Sequence, residues 1–388
     1  MQTYTHGSLF GVQYVYNAFL IACRGNGCVP SGGPCSNPFR KTDAKRQLLR
    51  FHLWVTRLRY KEVERQVTRY ILRRLLSGVL TVLMVFVINF IIIKAAPGDP
   101  IKTIMGKETD DPVLREALME KWGLNKSLPE QFWSQFSNAL KGDLGTSIIY
   151  NRSVNEMIGE RLGATILLGL VSALLALIIG TTLGIFCARH EGSFTDGLLS
   201  TISYALDAMP SFWLGLMLII LLSSKLGLLP TQGMTDARAS YQGARHVLDV
   251  LHHLVLPTLT LVLITMPGYF RIAKSSIQQV TSEDFIVTLR ATGMSEKKIF
   301  RKYIFKNAIL PTVTMFGITL AFLVTGVTLI EIVFSWPGTG RLTMTAINQR
   351  DYPTLMGIYL IMSVSVAVVM VLVDIAYAFL DPRIRYDQ

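Results

Sequence analysis

The residues that could carry chemistry fall in three places. Asp207, Glu331 and Asp374 are carboxylates set within long apolar runs. A charge facing lipid is costly, so such groups must meet protein partners, a water-filled path or a substrate. Asp207 lies three residues before Pro210, which lacks an N–H and frees a carbonyl nearby. A carboxylate beside a free carbonyl suits an ammonium or a cation, so Asp207 and Pro210 are the candidate substrate-path residues, with a purely structural Asp207 as the alternative. Glu331 and Asp374 sit near span ends and read as structural contacts. The second place is the pair His252 and His253. Adjacent residues face different ways on a helix, so they read as interfacial and not as a metal site. There is no Gly-x-x-x-x-Gly-Lys-Ser/Thr phosphate loop, so ATP hydrolysis by that route must come from another chain. No catalytic constellation, metal site or cofactor site is read in this sequence.

The third place is the segment 282–311. It runs Ser282-Glu283-Asp284-Phe285-Ile286-Val287-Thr288-Leu289-Arg290-Ala291-Thr292-Gly293-Met294-Ser295-Glu296, then through basic text to Asn307-Ala308-Ile309-Leu310-Pro311. The pattern is a helix, a glycine break, and a second helix for which Ser295 is the N-cap. Lys298 stands where a Glu or Gln would complete a capping box. Gly293 permits a turn that a Cβ disfavours. A short helix fixed between two spans is a rigid lever.

The elements that must position these residues are membrane spans. Of 388 residues, 51% are apolar and only 16% charged, and mean hydropathy is +0.41. An ordinary soluble domain carries about a quarter charged residues. Six apolar stretches reach the roughly 20 residues that cross a bilayer: about 70–93, 163–188, 198–223, 251–272, 308–334 and 354–380. The fourth is the weakest, because Pro257 and Pro267 interrupt it, and Pro210 is expected to kink the third. Basic residues cluster at Arg69, Arg73 and Arg74, at Arg189, through 271–307, and at Arg383 and Arg385. The positive-inside rule places all of these, and both termini, in the cytoplasm. The long outer loop 94–162 then holds two amphipathic helices, 111–122 and 129–140, expected to cap the outer mouth. Pro97, Pro100, Pro337 and Pro353 read as helix-end residues, and Trp336 and Tyr352 as interfacial anchors.

Residues 1–66 differ from the rest. They hold ten Lys and Arg against three acids, a large part of the chain's net charge of +12, and three of its four cysteines. They show turn-forming text without apolar periodicity, and no recognisable nucleic-acid motif. With Cys187 alone in the main body, no disulfide framework is read.

The loop carries a resemblance. Asp284, Ile286, Thr288, Arg290, Ala291, Gly293 and Ser295, with Asn307, Ala308 and Pro311, are similar to the ATPase-docking motif of membrane permeases of binding-protein-dependent ATP-binding-cassette importers, in the peptide and nickel subfamily. Leu289, Thr292 and Lys306 depart from that motif. Further similarity lies in Pro97-Gly98-Asp99-Pro100, Gly142-Asp143-Leu144-Gly145-Thr146-Ser147, Met209-Pro210-Ser211-Phe212-Trp213, Leu256-Pro257, Phe334-Ser335-Trp336-Pro337-Gly338-Thr339-Gly340-Arg341, Arg350-Asp351-Tyr352-Pro353 and the tail from Leu380 to Tyr386. It covers residues 67–386.

The resemblance implies an all-α integral membrane protein of six transmembrane helices, the type I importer permease fold, at 67–388, with 273–307 as its cytoplasmic ATPase-coupling loop. It implies Glu283, Asp284, Thr288, Arg290, Ala291, Gly293, Met294 and Ser295 as coupling residues. It implies a transporter subunit and not an enzyme, in a bacterial or archaeal cytoplasmic membrane. Its partners would be a paralogous permease, two ATPases that bind ATP and magnesium, an extracytoplasmic solute-binding protein and membrane lipid, without nucleic acid. Di- or oligopeptides are the expected cargo, moved by alternating access. Nickel or a metal chelate, and an ATP-independent secondary carrier, are the alternatives.

Because the resemblance begins at Val67, where family members usually begin with Met, residues 1–66 are expected to lie outside the permease, as an upstream extension of the reading frame. Mass spectrometry of the native chain checks this: peptides should begin near Val67, and intact peptides from residues 1–60 would overturn it.

Overall fold

The computed structural model describes residues 72–380, apart from 97, 99, 106–110, 237 and 240. The expectations for residues 1–66 and for the tail beyond Leu380 lie outside them. The described chain is built from helices. In order they are α1 (Leu72–Ala95), α2 (Pro100–Met105), α3 (Pro112–Lys121), α4 (Leu128–Leu140), α5 (Val154–Arg189), α6 (Phe194–Asp207) and α7 (Ser211–Leu218), which runs on as a π-helical turn, Ile219–Lys225. Then come α8 (Ala244–Thr281), α9 (Asp284–Ala291), α10 (Glu296–Ile299), a second π-helical turn Phe300–Ile304, α11 (Phe305–Ala308), α12 (Leu310–Gly326), α13 (Thr328–Val333), α14 (Thr339–Gln349) and α15 (Tyr352–Leu380).

Among the described residues, five helices are long and apolar enough to cross a membrane: Leu72–Ala95, Val154–Arg189, Ala244–Thr281, Glu296–Leu323 and Tyr352–Ile375. The sixth expected span is the pair α6 and α7, bent by 106°. The break falls at Ala208-Met209-Pro210, with Pro210 as N-cap of α7. A proline cannot donate to the preceding turn, and its ring displaces the chain there. The bend is far larger than a proline kink in one helix.

Two expectations need correction. Pro257 and Pro267 do not interrupt the fourth span: both lie inside α8, which runs through 38 residues. Both are buried, and the close packing of α5 along α8 holds the helix where hydrogen bonds are missing. The fifth span is also shifted. It begins at Glu296 and ends at Leu323, so the basic run 297–306 belongs to the span's own helix, and Glu331 lies on the separate α13.

The packing of α5 on α8 organises the core. Ala173, Ala176, Gly180, Thr181, Gly184 and Cys187 are buried along one face of α5. A Cβ on Gly180 would lie 2.5 Å from the Met266 carbonyl oxygen, and one on Gly184 2.5 Å from that of Phe270. The two backbones therefore touch, as small residues four apart allow in membrane helices. This Gly-x-x-x-Gly pair was visible in the sequence and went unread.

At the start of α5 two buried carboxylates fasten the chain. Asp351 accepts hydrogen bonds from Ser147 Oγ (2.6 Å), the Ile148 amide (3.1 Å) and Thr354 Oγ1 (2.7 Å). Glu331, fully buried, accepts from Thr165 Oγ1 (2.7 Å) and the Arg341 amide (3.0 Å). Trp336 is not an interfacial anchor. It is fully buried and donates from Nε1 to the Ala164 carbonyl at 2.9 Å, because an indole inside the fold must place its N–H. Asp374 pairs with Arg74 of α1 at 3.2 Å. The two loop helices form as expected: Asp111 caps α3, and Ser127 with Glu130 makes a capping box on α4. The Ser127 hydroxyl and amide hold the Glu130 carboxyl below the usual carboxylate range. Phe132 of α4 packs on Phe86 and Phe90 of α1, with ring centres 5.6 and 5.2 Å apart.

The glycine contact predicts an asymmetry. Gly184→Val adds bulk against a backbone that cannot retreat, and such overpacking costs about 1–3 kcal/mol or more. Gly163, also in α5, has nothing within 4 Å of a built Cβ, and Gly→Ala in a helix gains about 0.5–1 kcal/mol. Thermal unfolding in detergent should fall by several degrees for Gly184→Val and hold or rise for Gly163→Ala.

Candidate coupling site and family

The segment after α8 folds as a closed elbow. Glu283 is the N-cap of α9, and Thr288 Oγ1 donates back to the Asp284 carbonyl at 3.1 Å. The helix ends in the glycine motif that satisfies its last carbonyls. Gly293 takes φ +76°; its amide donates to the Arg290 carbonyl (3.0 Å) and that of Met294 to Leu289 (3.4 Å). Ser295 then caps α10 by its backbone position, without a side-chain cap bond. Across the turn the Arg290 guanidinium grips Glu296, with Nε donating to Oε1 at 2.8 Å. The carboxylate raises the already high pKa of Arg290.

One face of the elbow is anchored. Ile286 and Ile299 are fully buried, and with Ile277, Ile304 and Ala308 they form a small apolar core against Ile185 and Ala188 at the end of α5. The Arg189 guanidinium lies over the Phe300 ring, 4.7 Å from its centre. The other face is open: Glu283, Asp284, Thr288, Arg290, Ala291, Gly293 and Ser295 are exposed, whereas Met294 is half-buried in the small core. Phe285 and Val287 are exposed as well. Sequence reasoning passed over these two; their placement out of phase with buried Ile286 was the available signal. The open face thus offers small residues and an unpaired apolar pair around a glycine turn, which suits a protein partner and carries no group for bond chemistry.

The other candidates lie elsewhere. Asp207 ends α6, Pro210 opens α7, and Asp207 is paired with Arg271 of α8. A cleft of about 810 Å³ between α1 and α15, lined by Ser77, Thr81, Asn89 and Met362 among others, shares no residue with either place. Among the described residues no cluster of His, Cys, Asp or Glu could hold a metal ion.

Residues 180–386 match the family described as "Binding-protein-dependent transport system inner membrane component", and residues 67–169 match "Binding-prot-dependent transport system membrane comp, N-term". The chain belongs to this permease family. It is 38% identical over 318 residues to the oligopeptide transport system permease protein AppB of Bacillus subtilis (strain 168), covering 82% of this chain and 99% of that protein. It is 36% identical over 317 residues to the glutathione transport system permease protein GsiC of Escherichia coli (strain K12), with the same coverage of 82% and 99%. A solved chain of the inward-facing MetNI methionine ABC transporter superposes with a TM-score of 0.46 at 16% identity, over 58% of this chain and 96% of that one.

This permease is therefore a multi-pass inner-membrane subunit and not an enzyme. ATP hydrolysis belongs to partner subunits, and a solute-binding partner comes with the family. An ATP-independent carrier is set aside by the same finding.

If the open face of the elbow is where a partner grips, substitutions there should divide sharply. Gly293→Asp adds bulk and charge and forces a Cβ into a left-handed turn, which costs about 1–2 kcal/mol. It should uncouple ATP hydrolysis from uptake or release the ATPases. Glu283→Gln, on an exposed rim, should change uptake less than twofold. Co-purification of ATPases and uptake, at equal membrane abundance, check both.

Proposed function

We propose that this permease is one half of a two-permease pore that imports di- or oligopeptides by alternating access. A paralogous permease supplies the other half. Two ATPases bind the cytoplasmic face, one of them gripping the elbow at residues 283–296, and a solute-binding protein docks on the outer face over the loop 94–162. Both termini lie in the cytoplasm, on the side of the basic residues 297–306. Asp207 and Pro210 lie on the substrate path.

The observation that carries this reading is the elbow's continuity with a span. From Glu296 the chain enters the membrane-length helix Glu296–Leu323 without a loop, while the elbow's buried face rests on the ends of α5 and α8. A push on the open face is thus delivered to three spans at once. ATP-driven closure of the ATPases would tilt those spans and exchange inward for outward access. The peptide cargo is supported by the relatives, an oligopeptide permease and a glutathione permease, the latter named for a peptide-like substrate. Nothing among them favours nickel.

Reconstitution of the permease with its genomic partner subunits and binding protein tests the reading. Labelled tripeptide should enter proteoliposomes only with ATP and binding protein, and excess nickel should not compete. Uptake of nickel without uptake of peptide would overturn it.

A further inference from the structure

Two ion pairs join α6 to α8, and they are built differently. Asp196 at the start of α6 meets Lys274, with side chains only 10% and 20% exposed. Ser200 Oγ and the Gly192 amide add hydrogen bonds to Asp196, and Lys274 also donates to Ser200 Oγ at 3.1 Å. That pair ties the two helices together. Asp207 at the far end of α6 meets Arg271, one turn before Lys274, with side chains 41% and 39% exposed. Arg271 is the only hydrogen-bond donor to the Asp207 carboxylate among the described residues. The tie between the helices already exists, so the open pair is not needed for it.

Its position is unusual. Arg271 lies ten residues before the end of α8, about 15 Å along the helix, at the inner edge of the apolar stretch 251–272, and Asp207 ends the first half of the broken span. Charges left open at the inner edge of a span face water and not lipid. The pair also sits at the broken third span. Asp207 adds its charge to the C-terminal, negative end of α6, and four residues later α7 begins with first-turn amides that no side chain caps. Broken spans present these two helix ends, which favour a cation and an anion respectively.

We propose that Asp207 and Arg271 form a terminus-recognition pair on the translocation path, in which Asp207 receives the ammonium and Arg271 the carboxylate of an unblocked peptide. This rests on the peptide reading above. In the empty state the two side chains neutralise each other. A zwitterion replaces one intramolecular pair by two pairs with the cargo and keeps the site neutral throughout, and the planar guanidinium matches a carboxylate fork. A peptide blocked at one end leaves one protein charge without its partner, so the pair opens readily only for cargo carrying both charges. Asp207 thus acquires a second, opposite half that sequence reading did not supply.

The test uses the reconstituted complex with a labelled tripeptide, its N-acetyl form and its C-amide, each given at a concentration that yields a measurable rate in the unaltered complex. The binding protein is common to all variants, so its preferences cancel in the ratio of variant to unaltered rate. Arg271→Gln should lower import of the free tripeptide and the N-acetyl form at least tenfold and of the amide less than threefold. Asp207→Asn should mirror this, sparing the N-acetyl form. An equal loss for all three peptides, or no loss for the free tripeptide, would overturn the assignment. Where Arg271→Gln does not accumulate, Arg271→Lys keeps the charge and loses the fork. It should raise KM for the free tripeptide at least threefold and leave that of the amide unchanged, and equal changes would overturn the assignment. If the unaltered complex imports none of the three, the peptide reading itself fails and the assignment falls with it.

Discussion

The contact of two helix backbones at Gly180 and Gly184 is the constraint on which the rest depends. In lipid, apolar side chains gain little by leaving one apolar medium for another, so close packing must supply what water supplies elsewhere. Removing the side chains at these two positions lets α5 lie against the backbone of α8 at Met266 and Phe270. That pairing has three consequences. It keeps α8 helical through Pro257 and Pro267. It brings the end of α5 beneath the elbow, where Ile185 and Ala188 meet Ile286 and Ile299. It also sets Arg271 and Lys274 on α8 where α6 can reach them.

The buried polar groups divide along this axis by role. Near the start of α5, Asp351 and Glu331 are wrapped by amides and hydroxyls drawn from segments as far apart as Ser147 and Thr354, or Thr165 and Arg341. Such groups are costly to bury and costlier still to leave unmet, so each closes a joint between helices. The runs Gly142–Ser147, Phe334–Arg341 and Arg350–Pro353 meet in these joints. Near the end of α5 one buried carboxylate, Asp196, ties α6 to Lys274 of α8, while the elbow's own polar groups are exposed and its buried face is apolar. One end of the structure is fastened by buried carboxylates, and the other presents an elbow joined to its span through short helices and a π-helical turn, Phe300–Ile304. A π-turn inserted in a helix often marks a site of function or adjustment, and this one lies between the elbow and the span it would move.

Much of this was legible in the residues. Long apolar runs report spans because a bilayer demands about 20 apolar residues in a helix, and four of the six stretches correspond to single long helices, the fifth only in part and the third to a bent pair. The elbow was legible for another local reason. A helix, a glycine with φ +76° and a capping Ser295 are turn chemistry written within thirteen residues. The loop helices were legible from their amphipathic pattern, and the structure adds their caps at Asp111 and at Ser127 with Glu130. Membership in the permease family followed from motifs in order along the chain.

What the sequence by itself determined, then, was what has a local cause: the number of apolar stretches, the two loop helices, and the glycine turn of the elbow. What only the tertiary structure decided was what meets across distance. Proline text looked alike at Pro210 and Pro257, yet one marks a 106° bend and the other lies in an unbroken helix, because α5 packs tightly along α8. Trp336 looked like an interfacial residue until the Ala164 carbonyl, 172 positions away, gave its indole N–H a buried partner. Asp207 carried no local sign of Arg271, 64 residues further on. Hydropathy and capping are properties of neighbours in the chain, whereas pairing is a property of neighbours in space, and in this fold the glycine face of α5 chooses them.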